Sequence, residues 1–297
     1  MSIHGLSSNQ SYVLAKTANS LREDVKTPPT STSKVENGVW YLDYTSWDPD
    51  KIPKGVNMVN LFVSGLDGQL EGFSDPQKLK DFVAACHAQG IEVKMSIGGH
   101  GGKYDNCWDE LNGQNTSEVA KRLVDFCHEY DLDGIDFDYE ENQPGGDKTQ
   151  QETYVGQLIK SFKEQDPNLL ASLCTCADPS AWKAPAEIIL DQTKDSSGKS
   201  MIDHLYIMSY VGTTKNVEQW ASGWEDILKE YQLPSNATTI GIASNPGYDV
   251  DAIAKYAAEK GFSTMVWNYN PALEDPDPDA LPERVYDDYY PKTTYQG

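Results

Sequence analysis

Apolar and polar positions along the chain alternate between two periods. Short apolar runs occur at VWYLDY (39–44), NMVNLFV (57–63), IEVKMSI (91–97), GIDFDY (134–139), LLASLC (169–174), HLYIMSY (204–210), TTIGIA (238–243) and STMVWNY (263–269). Runs of this length, rich in β-branched and aromatic residues, predict strands. Between most of them the apolar residues recur at helical spacing, in PQKLKDFVAACHAQG, SEVAKRLVDFCHEY, QETYVGQLIKSFKEQ, VEQWASGWEDILKEY and DVDAIAKYAAEKG. Eight strands with interleaved helices predict an α/β protein built on a parallel sheet. Eight is also the number that closes a (β/α)8 TIM barrel in one domain, with its site at the C-terminal strand ends. A doubly wound open sheet is the alternative, but no G-x-G-x-x-G follows the first strand. The seventh and eighth strands lie too close in sequence for an α+β insertion between them.

The ends of the chain depart from this rhythm. Residues 1–34 are polar and end in KTPPTSTSK, which reads as a leader or linker. The barrel domain is expected over 35–297, with an acidic, tyrosine-rich tail at 271–297 that packs on the body.

DGIDFDYE (133–140) breaks the strand pattern in a different way, by interleaving four acids with large apolar residues. On a strand, Ile135, Phe137 and Tyr139 share one face, toward the helices. Gly134, Asp136, Asp138 and Glu140 share the other, toward the barrel interior. Successive carboxylates on that face are about 7 Å apart along the strand. Like charges confined in this way force at least one group to keep its proton, which is what a general acid requires. Glu140 comes last, at the mouth. Asp133 has the opposite parity and reads as a structural residue at the strand's start. A calcium loop fails because the glycine is misplaced. A magnesium site made by the Asp–Asp–Glu row is an alternative, and a merely solvated acidic face fits worst.

Composition narrows the partners. Against 24 Lys and Arg stand 46 Asp and Glu, a formal net charge of -22. That field repels nucleic acid and anionic membranes, so a neutral or cationic substrate is expected. No segment is apolar enough to span a membrane, and no export signal is visible at the N-terminus. The five cysteines imply no disulfide framework, and the Cys174–x–Cys176 pair lacks the second pair or nearby histidine of a zinc site.

DGIDFDYE matches the D-x-x-D-x-D-x-E signature of glycoside hydrolase family 18, the chitinases and their relatives. KMSIGG (94–99) resembles the family's S-x-G-G on the third strand. HLYIMSY resembles the sixth-strand segment ending in M-x-Y, and MVWNY (265–269) the last-strand segment with its tryptophan. YTSW (44–47) is also similar to the family. The resemblance spans roughly residues 38–270 and implies a retaining, substrate-assisted glycosidase without metal or cofactor.

By that resemblance Glu140 is the general acid and base. Asp138 orients the substrate's acetamido group, Asp136 shares a proton with Asp138, and Tyr210 hydrogen-bonds the acetamido oxygen. Trp267 forms the floor under the sugar, Met208 lines the site, and Gly99 permits close backbone approach. Asp43 lies near where the family's first strand carries an inward tyrosine, and Val211 stands where many chitinases have aspartate after M-x-Y. The expected activity is endo-hydrolysis of chitin or chito-oligosaccharides in an open cleft, by a monomer. An endo-β-N-acetylglucosaminidase acting on N-glycans, or a carbohydrate-binding protein without catalysis, is the alternative. Tyr139 leans toward chitinase, and family resemblance points to an extracellular setting.

Overall fold

Eight parallel strands close on themselves in strict sequence order, β1 pairing with β8. This is a computed structural model; it describes residues 35–41, 48–62, 75–99, 107–140, 148–209, 213–242 and 249–269. The leader (1–34) and tail (271–297) fall outside them. The strands are β1 (Asn37–Tyr41), β2 (Met58–Phe62), β3 (Glu92–Gly98), β4 (Gly134–Asp138), β5 (Leu170–Cys176), β6 (His204–Met208), β7 (Thr238–Ile242) and β8 (Ser263–Tyr269). Each coincides with one of the eight apolar runs, and the open-sheet alternative is excluded by closure.

The helices are α1 (Pro76–Ala88), α2 (Cys107–Leu111), α3 (Thr116–Tyr130), α4 (Thr149–Gln165), α5 (Pro179–Gln192), α6 (Thr214–Glu230) and α7 (Val250–Lys260). Between β1 and β2 the described residues hold only a 3-10 turn, Pro49–Lys51. Between β7 and β8 they hold only α7 and its flanks. Side-chain caps start several helices: Asp75, Asn115, Asp178 and Asp249 each accept a main-chain N–H from the first turn of α1, α3, α5 and α7. Helical periodicity did not reveal α2, which is short, or α5, which carries Pro185 in its interior. Proline normally argues against a helix there because it removes a hydrogen bond.

Two cores result from strand alternation. The larger lies between sheet and helices; in β4 it takes Ile135 and Phe137, whose ring meets Phe162 of α4 edge-on at 5.8 Å. The smaller fills the barrel interior with Cys174, Tyr206, Met208 and Met265, against which Cys176 and Trp267 pack. Polar side chains share this interior: Asn60, Lys94, Ser96, Asp136, Asp138, Ser172 and Glu36 are all buried. Gly134 is required for closure, since a Cβ there would lie 2.0 Å from the carbonyl oxygen of Leu170 on β5.

Asp133, the outward acid, accepts the main-chain N–H of Val93 at 2.6 Å, and His87 of α1 lies 2.8 Å from the same oxygen. It ties the entrance of β4 to β3 and α1, a structural role.

Candidate active site

The parallel register sets the carboxylate column between two small-residue strands. Ser96 of β3 and Ser172 of β5 pair with Asp136, and Gly98 and Cys174 pair with Asp138. Both serine hydroxyls donate to Asp136, Ser172 to Oδ1 at 2.6 Å and Ser96 to Oδ2 at 2.9 Å. Burial pushes the Asp136 carboxyl up to about 6, and would push it further without Lys94 and these two donors.

Asp138, one layer nearer the mouth, is also fully buried. Among the described residues neither of its carboxylate oxygens has a hydrogen-bond partner of good geometry. The Cys174 thiol and the Glu140 carboxyl nevertheless lie close enough to bias its proton. Burial, followed by the charges of Glu140 and Asp136, raises Asp138 well above the ordinary carboxyl range. The site therefore favours its protonated form. A buried polar group without a protein partner is costly, and a ligand donor or acceptor reaching it would recover that cost.

Glu140 follows the strand's end and is half-buried. A bracket from α2 and α4 fixes the chain leading to it. The Trp108 indole donates to the main-chain oxygen of Asp138 at 2.8 Å, and the Gly99 N–H donates to the same oxygen at 2.9 Å. Tyr139 donates its hydroxyl to Gln151 at 3.0 Å, and Gln151 donates to Asp109 at 2.8 Å. The Trp108 and Tyr139 rings are 6.2 Å apart. Gly98, at φ +91, has room only for hydrogen: a Cβ would stand 2.3 Å from the Asp138 oxygen and 2.6 Å from the Trp108 indole nitrogen.

Of the expected site residues, the barrel brings Asp136, Asp138, Glu140, Met208 and Trp267 together at one end. Gly99 lies beside them, with its N–H committed to the Asp138 carbonyl. Tyr210 and Asp43 lie outside the described residues, as does Val211. Cys176 and Cys174 line the interior as free thiols, and burial pushes Cys176 up to about 12. Among the described residues no group of three or more His, Cys, Asp or Glu is arranged to hold a metal ion.

Comparison with known proteins extends this geometry. The Glycosyl hydrolases family 18 model matches residues 39–269, from the first strand to the last. The chain belongs to glycosyl hydrolase family 18. A chitinase-like effector of Moniliophthora perniciosa is 37% identical over 118 residues, covering 37% of this chain and 27% of the effector. An acidic endochitinase of Nicotiana tabacum is 27% identical over 209 residues, covering 63% of each chain. This chain therefore spans about a quarter of the one relative's length and under two thirds of the other's. Among solved structures, the family 18 chitinase of Cycas revoluta in complex with (GlcNAc)3 superposes with a TM-score of 0.61 at 15% identity, covering 86% of this chain and 100% of that one. That likeness carries the fold.

Sequence reasoning missed Trp108, Ser172, Gln151 and Lys94. Lys94 and Ser172 could have been found by parity, since each lies an even number of positions from an inward residue on its own strand, Ser96 and Cys174. Trp108 and Gln151 leave no such trace, because they reach the site from helices.

Proposed function

We propose that this chain is an endo-acting chitinase, hydrolysing β-1,4 linkages between N-acetylglucosamine units with retention of configuration. The observation that supports it most is the column Asp136–Asp138–Glu140, in which both buried Asp138 oxygens lack a hydrogen-bond partner of good geometry among the described residues. Glu140 donates its proton to the glycosidic oxygen as the bond to the anomeric carbon breaks. The acetamido carbonyl oxygen of the same sugar forms the new bond to that carbon, giving an oxazolinium ion. Asp138 accepts the acetamido N–H, and the Asp136–Asp138 pair, sharing one proton, carries the negative charge that stabilises the ion. The Glu140 carboxylate then takes a proton from water, whose oxygen bonds to the anomeric carbon on the face the leaving group left while the bond from that carbon to the acetamido oxygen breaks. Trp267, half-buried against the interior cluster, supplies an apolar surface for a pyranose ring. Tyr210 serves the acetamido oxygen in this scheme, and Asp43 is assigned to substrate binding.

The test compares wild type with Glu140→Gln on chito-oligosaccharides and on a high-mannose glycoprotein. Turnover of the chito-oligosaccharides, lost in the variant while binding is kept, is the expected result. Cleavage of the glycoprotein alone would make the enzyme an endo-β-N-acetylglucosaminidase. Binding without turnover in wild type would make it a carbohydrate-binding protein, a reading favoured by Val211 in place of the acid that many chitinases carry there.

A further inference from the structure

Beneath the carboxylate column, toward the N-terminal ends of the strands, the barrel holds a fully buried lysine. Lys94 projects inward from β3, one layer below Ser96. Its ammonium donates to Glu36 Oε1 at 3.2 Å, to Ser172 Oγ at 3.2 Å, and to the Tyr206 hydroxyl. Tyr206 in turn donates to the other Glu36 oxygen and accepts from Asn60 at 3.4 Å. His204 of β6 faces Glu36 with its Nε2 at 3.3 Å. An ion pair in such a place is a poor stabiliser, since apolar residues of similar volume generally do as well or better. Its position against Ser172 gives it another use.

We propose that Lys94 is a positioning residue for the carboxylate column, fixing through Ser172 that Asp136 is the anion and Asp138 the proton carrier facing Glu140. The inference rests on the hydrolytic reading of the site and adds a residue to it. A serine hydroxyl has one hydrogen and can point it in only one direction. Lys94 occupies the acceptor side of Ser172, so the single hydrogen goes to Asp136 Oδ1. Ser96 commits its own hydrogen to Oδ2. Asp136 is then an acceptor at both oxygens, which favours its ionised form. The proton of the pair goes to Asp138, whose oxygens have no competing donor of good geometry among the described residues. Without Lys94 the Ser172 hydroxyl can turn and accept from a protonated Asp136, and the proton is no longer assigned.

The other groups facing Asp136 do not substitute for Lys94. On β4 they are Asp138 and Glu140, acids that disfavour a second anion. Cys174 on β5 and Tyr206 on β6 are held protonated by burial, and His204, whose imidazole burial lowers, faces Glu36 rather than the pair. Glu36 stays ionised: burial alone would raise it, but His204, Lys94 and Tyr206 outweigh that and hold it low. Lys94 is thus the described cation that reaches a serine donor of the pair.

The test is the pH profile of kcat/KM on a soluble chito-oligosaccharide for wild type, Ser172→Ala, Ser172→Thr and the double variant Lys94→Met/Glu36→Gln. The double variant removes both charges together, so the barrel floor stays neutral. The acid limb is expected to move up by about one pH unit in Ser172→Ala and in the double variant, and to stay in place in Ser172→Thr. KM should change little. An acid limb unmoved in both charge- and donor-lacking variants overturns the proposal. Carbon-13 carboxyl titration of aspartate-labelled protein, assigned with Asp136→Asn and Asp138→Asn, reads the same order without turnover. Asp136 titrating below Asp138 in wild type, with that order lost in Ser172→Ala, supports the proposal even if wild type cleaves nothing and the hydrolytic reading falls. An order unchanged in Ser172→Ala overturns it whether or not the protein cleaves.

Discussion

The indole Nε1–H of Trp108 donates to the main-chain oxygen of Asp138 at 2.8 Å, from a helix of five residues lying outside the strands. Asp138 is the last residue of β4, so this bond and the one from Gly99 hold the peptide that leads to Glu140. The geometry of the acid thus depends on a side chain outside the barrel interior. Trp108→Phe keeps most of the apolar volume and removes the donor. It should cost about 1 kcal/mol of stability, the ordinary net worth of such a bond. Catalysis should suffer more: kcat is expected to fall about tenfold with KM nearly constant, because a small misplacement of a reacting group is costly. Steady-state kinetics beside a urea melt separate the two. Equal losses in stability and rate, or a change confined to KM, would refute this role.

Gly98 makes the same bracket possible. Its φ of +91 and the 2.3 Å approach to the Asp138 oxygen leave no place for a methyl group. Gly98→Ala should destabilise by on the order of 3 kcal/mol, combining backbone strain with overlap. The S-x-G-G segment is therefore needed here for the packing of β3 on β4 and on Trp108. Thermal melting checks it; a variant within 1 °C of wild type would show that the strand ends can part without cost.

Buried carboxyls give this protein an unusual stability profile. An aspartate that titrates near 3.8 when exposed titrates at about 6 in the Asp136 environment. Between those values the folded state holds a proton that the unfolded chain has released, so stability falls as pH rises through the window. Asp138, raised further, adds the same sign at higher pH. Glu36 acts in the opposite sense, since its lowered carboxyl loses its contribution only on acidification through and below the ordinary carboxylate range. Tm should therefore rise as pH is lowered from 7 toward 5, then fall in stronger acid. Relief of the general negative charge acts in the same direction, so Asp136→Asn is the control: it should flatten part of the rise. Parallel Tm profiles for the two proteins would contradict the assignment.

Much of this arrangement is legible in the amino-acid order because a strand's period fixes what faces inward. Ile135, Phe137 and Asp136 follow their parity without exception, and closure into eight strands follows from their number and spacing. The boundaries shift where polar residues pair by main chain alone: β1 begins at Asn37, two residues before its apolar run. Cys176 extends β5 past its apolar run, because it pairs with Met208 of β6. The pattern cannot show what crosses between layers. The Lys94–Ser172–Asp136 relay joins β3, β5 and β4, and the Trp108 bond joins a helix to a strand terminus. Both are set by register and barrel closure, which periodicity does not encode. Pro185 misleads for a local reason, since the α5 backbone tolerates the lost hydrogen bond within a packed helix.

The pair Lys94 and Glu36 offers the sharpest test of how the barrel floor is held. Their side chains are 0% and 3% exposed, and the nitrogen–oxygen distance is 3.2 Å. Removing one charge leaves the other buried without compensation, which costs roughly 3–5 kcal/mol in comparable sites. Lys94→Met and Glu36→Gln should each destabilise by an amount of that order. The double variant removes both charges and should be more stable than either single one, because the remaining polar groups can re-pair through Tyr206 and His204. Urea denaturation of the four proteins gives the coupling directly. A positive coupling of several kcal/mol is expected. Additive losses would mean that the two charges are solvated independently, and that Lys94 is not held rigidly against Ser172.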